Sequence, residues 1–384
     1  MGGALSTSSA TRERRLLVVA GEPSGDAHAA RVVRGLQALG PVSVHAVAGP
    51  DLRAAGAHVI VPQEDLSVIG FSGVIAKLPV ILRARRAILD DVERFRPEVA
   101  LLVDYPGFNL RLGPELKRRG VKVFYYIAPQ VWAWHAERAA EMAAWVDRLA
   151  VVFPFEEPIF RTAGVDARFV GHPLLDDLAA ECDEATFRAE LGVDACARLV
   201  GLLPGSRKGE LRAHARTLLE AAQRLRARYP DVVPVLALAR GRELVGVPEA
   251  LLEGVRLVRG RTHAVQTYAT CCAVASGTAT LETALLGAPL VIVYRVGWIN
   301  HAIARRVVKL THIGLPNIVA GREVAPELIQ QAFTASAVAD TLGRWLDDPT
   351  ALAARRADLA QVRACLGHGG AAERTAAWLA GLWS

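Results

Sequence analysis

Apolar and polar positions alternate between two patterns along most of the chain. Short β-branched runs, "LLVVA", "SVHAVAG", "VALLVDY", "VKVFYYI" and "RLAVVF", are separated over residues 16–153 by longer stretches with apolar residues at helical spacing. A strand covered on both faces reads as an unbroken apolar run, and the helices between such strands do the covering. The pattern therefore predicts βαβ units on a parallel sheet. After "FVGHPLLDDLAAECDEATFRAELGVD" the alternation restarts with "RLVGLLPGSRKGE", "VVPVLALA", "VRLVRG", "CCAVASG" and "PLVIVYR". Two sheets are expected, with the polar, proline-bearing stretch 171–194 as linker and small helix between them. From Pro326 on, the sequence reads as helical and alanine-rich, with no further strand. The expected division is a disordered tail at 1–15, a Rossmann-like domain at 16–172, a second at 173–345, and helices at 346–384 returning to the first domain.

Composition narrows the class without choosing a function. At 384 residues and 52% hydrophobic, the chain can build sizeable cores, and its net charge of +6 favours an anionic partner such as a nucleotide, nucleic acid or lipid headgroup. The five cysteines, Cys182, Cys196, Cys271, Cys272 and Cys365, form no C-x-x-C pair and have no histidine at ligand spacing. Neither a disulfide framework nor zinc is indicated, and a reducing cytoplasm is the expected location. The opening "MGGALSTSSATRERR" has no apolar core of a secretory signal, and no apolar run is long enough to span a bilayer.

Each half has an early strand followed by a glycine-containing loop and a helix, but the two loops have opposite charge. "VAGEPSGDAH" carries Glu22 and Asp26; "LLPGSRKGEL" carries Gly205, Ser206, Arg207 and Lys208. Backbone donors, a hydroxyl and a guanidinium suit a diphosphate, whereas the alternative is an exposed basic turn. In "VASGTATLETALLGAPLVIVYR" a strand ends at Ser276, Gly277 allows close approach, and Thr278 opens a helix containing Glu282, whose carboxylate could accept from ribose hydroxyls. The alternative there is a capped core helix. In "VALLVDYPGFN" an apolar strand runs into Asp104, where a carboxylate could serve as general base or organise the next turn. "LSVIGFSGVIAKLPVILRARRAIL" combines an apolar stripe with Lys77, Arg83, Arg85 and Arg86, which fits either a membrane-interface helix or one packed on the sheet. The aromatic "FYYIAPQVWAWHAERA" reads as core rather than a base-stacking channel, and His135 and His172 read as structural histidines.

The ordered series "AGEPSGD", "VAGP", "VDYPGFN", "APQVWAW", "FPFE", "VGHP", "LLPGSR", "ASGTATLE" and "GLPNIVAGRE" resembles the lipid-A-disaccharide synthase family across residues 16–323. The resemblance implies the two-Rossmann-domain fold called GT-B, its domains facing a cleft. It implies inverting transfer of a diacylated glucosamine from UDP-2,3-diacylglucosamine to the 6-hydroxyl of 2,3-diacylglucosamine 1-phosphate, with no cofactor, metal or nucleic-acid partner. By the same resemblance Asp104 is the base, and Gly205, Ser206, Arg207, Ser276, Gly277, Thr278, Glu282, Asn317 and Glu323 bind the UDP-sugar. Glu22, Ser24, Asp26 and Asn109 are expected at the acceptor. Residues 71–89 are expected at the inner-membrane surface, on its cytoplasmic side. The family often has threonine where Pro23 stands and an acid where Gly107 stands. The readings set against this one are another UDP-sugar GT-B enzyme, a nucleotide-dependent oxidoreductase, which lacks G-x-G-x-x-G, and a basic non-enzyme that binds membrane or nucleic acid.

Overall fold

A computed structural model describes residues 13–67, 74–132, 137–295 and 311–383. They divide into two compact units, one of residues up to Pro173 together with those from His368, the other of Leu174–Gly367. In the first unit the strands are β1 (Arg14–Ala20), β2 (Val42–Ala48), β3 (His58–Pro62), β4 (Val99–Val103), β5 (Lys122–Tyr126), β6 (Arg148–Val151) and β7 (Ala167–Phe169). They form one parallel sheet in the order β3-β2-β1-β4-β5-β6-β7. Leu16 to Ala20 and Val99 to Val103 are fully buried, which explains their unbroken apolar runs, since helices cover both faces. Each leucine so buried contributes about 1.5–3 kcal/mol.

The second unit repeats the plan with β8 (Arg198–Leu203), β9 (Val232–Leu238), β10 (Arg256–Arg259), β11 (Cys271–Ala275), β12 (Leu290–Tyr294) and β13 (Glu327–Ile329). Their order is β10-β9-β8-β11-β12-β13, again parallel. Both sheets reverse strand order next to their first strand, between β1 and β4 and between β8 and β11. Open α/β sheets bind ligands beyond the carboxyl ends of the strands at such a reversal.

Three strands escape the apolar pattern. β3 carries a histidine and β7 spans three residues, both at the sheet's edges. β13 lies in the stretch read as wholly helical; its three residues are only partly buried, and pairing with Ile292 to Tyr294 defines it. The C-terminal helices also divide differently from the expected 346–384 segment. Helix Pro349–Cys365 belongs to the second unit, burying Leu359 and Val362, and Arg363 donates from it to the Leu285 carbonyl (3.0 Å). Only helix Ala371–Ala380 joins the first unit. It crosses helix Pro23–Leu39 at Gly35, where an added Cβ would lie 2.9 Å from that of Ala376. Arg374 ties it to the Val170 carbonyl (2.8 Å) and Trp378 meets Phe124 edge to face.

Candidate active site

In the first unit the register pairs Ala20 with Val103, so the residues following β1 and β4 emerge side by side. These are Gly21 and Glu22 on one strand, Asp104 and Tyr105 on the other. Asp104 and Tyr105 both have left-handed backbones, φ 44° and 50°. For residues with a Cβ each such conformation costs on the order of 1 kcal/mol, and it persists only where surroundings over-determine it. Here the Asp104 N–H donates to Tyr126 O (2.9 Å), and its carbonyl accepts from Tyr125 Oη (2.7 Å) and Asn109 Nδ2 (2.8 Å). The Tyr105 ring lies on Gly21, where a Cβ would come within 2.3 Å of it, and its hydroxyl donates to Leu66 O (3.3 Å). Gly21 is therefore required by close approach.

Burial, with the charge of Glu22 adding to it, raises the Asp104 pKa to about 6. Glu22 and Ser24 are exposed at the same edge. Two expected acceptor contacts are corrected. Asp26 is 1% exposed and accepts from the N–H groups of Gly49 (2.7 Å) and Asp51 (2.8 Å), securing the start of helix Pro50–Ala54. Asn109 is fully buried and its Nδ2 donates to the Val103 and Asp104 carbonyls, so it orients the Asp104 backbone. "GEPSGD" is also less of a loop than its glycines suggest. The helix begins at Pro23, directly after Glu22, and proline at N1 removes no intrahelical bond. A Cβ at exposed Gly107 would meet nothing within 4 Å, so the position lacks an acid for reasons other than space.

Glu156, in "FPFE", is a further buried carboxylate near this edge. It is 1% exposed, accepts from Trp132 Nε1 (3.0 Å) and the Phe153 N–H (3.2 Å), and is raised to about 7 by burial, with Asp104 contributing. Trp132, Phe153 and Phe155 pack on one another, and His172 lies against Phe153. Burial holds His172 down to about 4, with His28 adding repulsion, so it is a neutral packing group at physiological pH. Residue types alone could not separate Glu156 from a surface acid, because its burial depends on aromatic residues from several strand ends. His135 lies outside the described residues, as does Trp134.

At the second unit's reversal, residues after β8 and β11 enclose a cavity of about 360 Å³. Gly205, Ser206, Arg207, Ser276, Gly277, Thr278 and Glu282 all line it. Helices Lys208–Arg228 and Thr278–Leu286 begin at this cavity, an arrangement that favours an anion through the helix dipoles. Gly277, φ 148°, and Gly205, φ 105°, adopt conformations open to glycine. Burial raises the Glu282 pKa, and His263 Nε2 lies 4.0 Å from its carboxylate. Behind the loop, buried His214 bridges the Pro204 carbonyl (3.0 Å) and the Arg295 N–H (3.0 Å). With one nitrogen donating and the other accepting it must be neutral, in line with the downward pKa shift that burial causes.

Two residues expected at the UDP-sugar are elsewhere. Asn317 is fully buried; its amide donates to Ala325 O (2.7 Å) and Glu327 Oε1 (2.8 Å), and its oxygen accepts from the Val324 and Ala325 N–H groups. Its hydrogen-bonding capacity is thus used up within the fold. Glu323 is exposed just before β13, beside Arg344, Trp345 and Arg355, and lines a different cavity. Among the described residues no group of three or more His, Cys, Asp or Glu is arranged to hold a metal.

The amphipathic stretch forms helix Val74–Phe95, which has both a buried and an exposed apolar side. Ala84, Ile88 and Val92 are buried against the sheet, whereas Leu78 and Leu82 are about half exposed on another face, with Arg83 and Arg86 also exposed. Residues 71–73 of the expected membrane surface, and the Lys77 side chain, lie outside the described residues. Among the described residues no helix is long and apolar enough to cross a membrane.

Two doubly wound parallel units, one with a raised-pKa carboxylate at its reversal and the other with a cavity lined by loop glycines and Arg207, form the two-domain GT-B fold. Solved structures share the fold. A kitacinnamycin glycotransferase matches with TM-score 0.64 at 18% identity, covering 97% of this chain and 99% of that one. The calicheamicin glycosyltransferase CalG4 matches with TM-score 0.60 at 16% identity, covering 97% and 98%. The family model described as lipid-A-disaccharide synthetase matches residues 16–370. Lipid-A-disaccharide synthase of Geobacter metallireducens is 42% identical over 367 residues, 94% of this chain and 96% of the relative. That of Anaeromyxobacter dehalogenans is 42% identical over 368 residues, with 94% and 96% covered. The chain belongs to the lipid-A-disaccharide synthetase family.

Proposed function

We propose that the chain transfers 2,3-diacylglucosamine from its UDP derivative to the 6-hydroxyl of 2,3-diacylglucosamine 1-phosphate, with inversion, giving the β-1,6-linked disaccharide 1-phosphate and UDP. The observation that carries the mechanism is Asp104, a carboxylate at the β1/β4 reversal with its pKa raised to about 6. An alcohol is too weak an acid to attack unaided, and a base of this strength is ionised at neutral pH yet more basic than an ordinary aspartate. As the acceptor oxygen bonds to the anomeric carbon, its proton passes to Asp104. The carbon–oxygen bond to UDP breaks, and its electron pair leaves on the diphosphate.

The leaving charge is met by the Gly205–Arg207 loop and by the helix N-terminus at Thr278, with Glu282 assigned to the ribose hydroxyls. Glu22 and Ser24 are assigned to the acceptor sugar. Both substrates carry acyl chains, and exposed Leu78 and Leu82 with Arg83 and Arg86 support residence at an anionic inner-membrane surface. A UDP-release assay tests the reading. UDP and disaccharide should form together only when both acylated substrates are present. UDP formation without acceptor would indicate hydrolysis, and salt-sensitive vesicle binding without UDP formation would indicate a binding protein.

A further inference from the structure

The donors assigned to the diphosphate are engaged by an anion of the chain itself. Glu210 Oε2 accepts from the N–H groups of Ser206 (2.9 Å) and Arg207 (3.2 Å), and its Oε1 accepts from Arg207 Nη1 (3.0 Å). One carboxylate thus engages two backbone donors and the guanidinium. The loop is fitted to it: a Cβ at Gly205 would lie 2.5 Å from Glu210 Oε2. Glu210 lines the same 360 Å³ cavity as Gly205, Ser206 and Arg207. Its position three residues after Arg207 is that of a first-turn acid, so helix capping accounts for the backbone contacts. Capping does not account for the engagement of Arg207, whose side chain is otherwise 83% exposed.

We infer that Glu210 is an affinity-determining residue for the nucleotide: an internal anion that keeps the loop ordered when empty and competes with the diphosphate for the same donors. The inference rests on the proposed assignment of this loop to the diphosphate. A phosphate oxygen that takes the Ser206 and Arg207 N–H groups displaces the carboxylate, which remains close by as a like charge. The competition weakens binding of the UDP product and hastens its departure. It acts on the diphosphate and leaves the nucleoside untouched, and that difference separates it from a role in folding alone.

The test is isothermal titration of the full chain and its Glu210→Gln, Glu210→Asp and Arg207→Ala variants with UDP and, separately, with uridine. Glu210→Gln keeps the side-chain volume and one acceptor oxygen but releases Arg207. It should tighten UDP by about tenfold, the scale of one charge-assisted hydrogen bond, and leave uridine unchanged. Glu210→Asp, one methylene shorter, should shift UDP in the same direction and provides the measurement should the Gln variant fold poorly. Arg207→Ala should weaken UDP and spare uridine. Unchanged UDP binding in Arg207→Ala overturns the diphosphate assignment itself. Weaker binding there, combined with unchanged or weaker UDP binding in both Glu210 variants, overturns the inference alone. Equal changes for UDP and uridine in the Glu210 variants also overturn it.

Discussion

The two strand-order reversals share a topology and differ in the backbone and the cationic groups they present. Beyond β1 and β4 the chain presents carboxylates, Glu22 and Asp104, and secures its turn with two left-handed residues that carry side chains. Beyond β8 and β11 it presents N–H donors and a guanidinium, and its unusual backbone angles fall on Gly205 and Gly277. A side chain in a left-handed turn must be held by packing, as Tyr105 is on Gly21, whereas glycine needs no such support. The contrast teaches that the parallel sheet supplies a place, and the few residues after each strand supply the charge. An acidic edge suits proton removal from a sugar hydroxyl; a donor-rich edge suits a diphosphate.

Asp104→Asn should have the largest effect on that contrast. Asparagine tolerates the left-handed backbone, so the fold should survive while kcat falls by about 10² or more. Steady-state kinetics would show this, and near-normal turnover would remove Asp104 from the mechanism. The same variant should be more stable at neutral pH. An acid whose folded pKa is raised loses stability as pH rises from its unfolded value, 3.8, through its folded value, about 6. Removing the charge should therefore return on the order of 2 kcal/mol above pH 6 and almost nothing at pH 3.5, measured by urea unfolding.

Gly21→Ala ranks next. Its Cβ would press into the Tyr105 ring, costing about 1–3 kcal/mol and lowering turnover by moving the neighbour of Asp104. Gly209→Ala in the second unit meets nothing within 4 Å and serves as the control, with stability unchanged or slightly raised. If both substitutions behave alike, the close packing at the first reversal is not what holds its turn. The smallest effect is that of Glu22→Gln. kcat/KM should fall about tenfold per pH unit below about 6 in the parent. The variant should move that limb to lower pH, because the Glu22 charge adds to burial in raising the Asp104 pKa. It should also disturb acceptor KM more than donor KM; the reverse would reassign the acidic edge.

Most strands and both carboxyl-end loops were legible because fully buried parallel strands write continuous apolar runs, and because Asp104, Arg207 and Glu282 follow strands or open helices at recognisable spacing. β3, β7 and β13 were not, since a short or half-covered edge strand has too few buried positions to write a pattern. Asp26, Asn109 and Asn317 carry the residue types of a polar site and stand in its motifs. Their hydrogen bonds to Gly49, Asp104 and Val324 show that they brace backbone instead.

By itself, the sequence determined the two parallel-sheet halves, the opposite charge of their leading loops, and the family, through an ordered set of motifs. These are properties of local spacing and residue type. Only the tertiary structure decided which polar side chains remain free for a ligand. It buried Asp104 enough to raise its pKa and sank Glu156 among aromatic residues. The surroundings of Asp104 and Glu156 include partners 21 and 24 residues away, and local spacing does not record them.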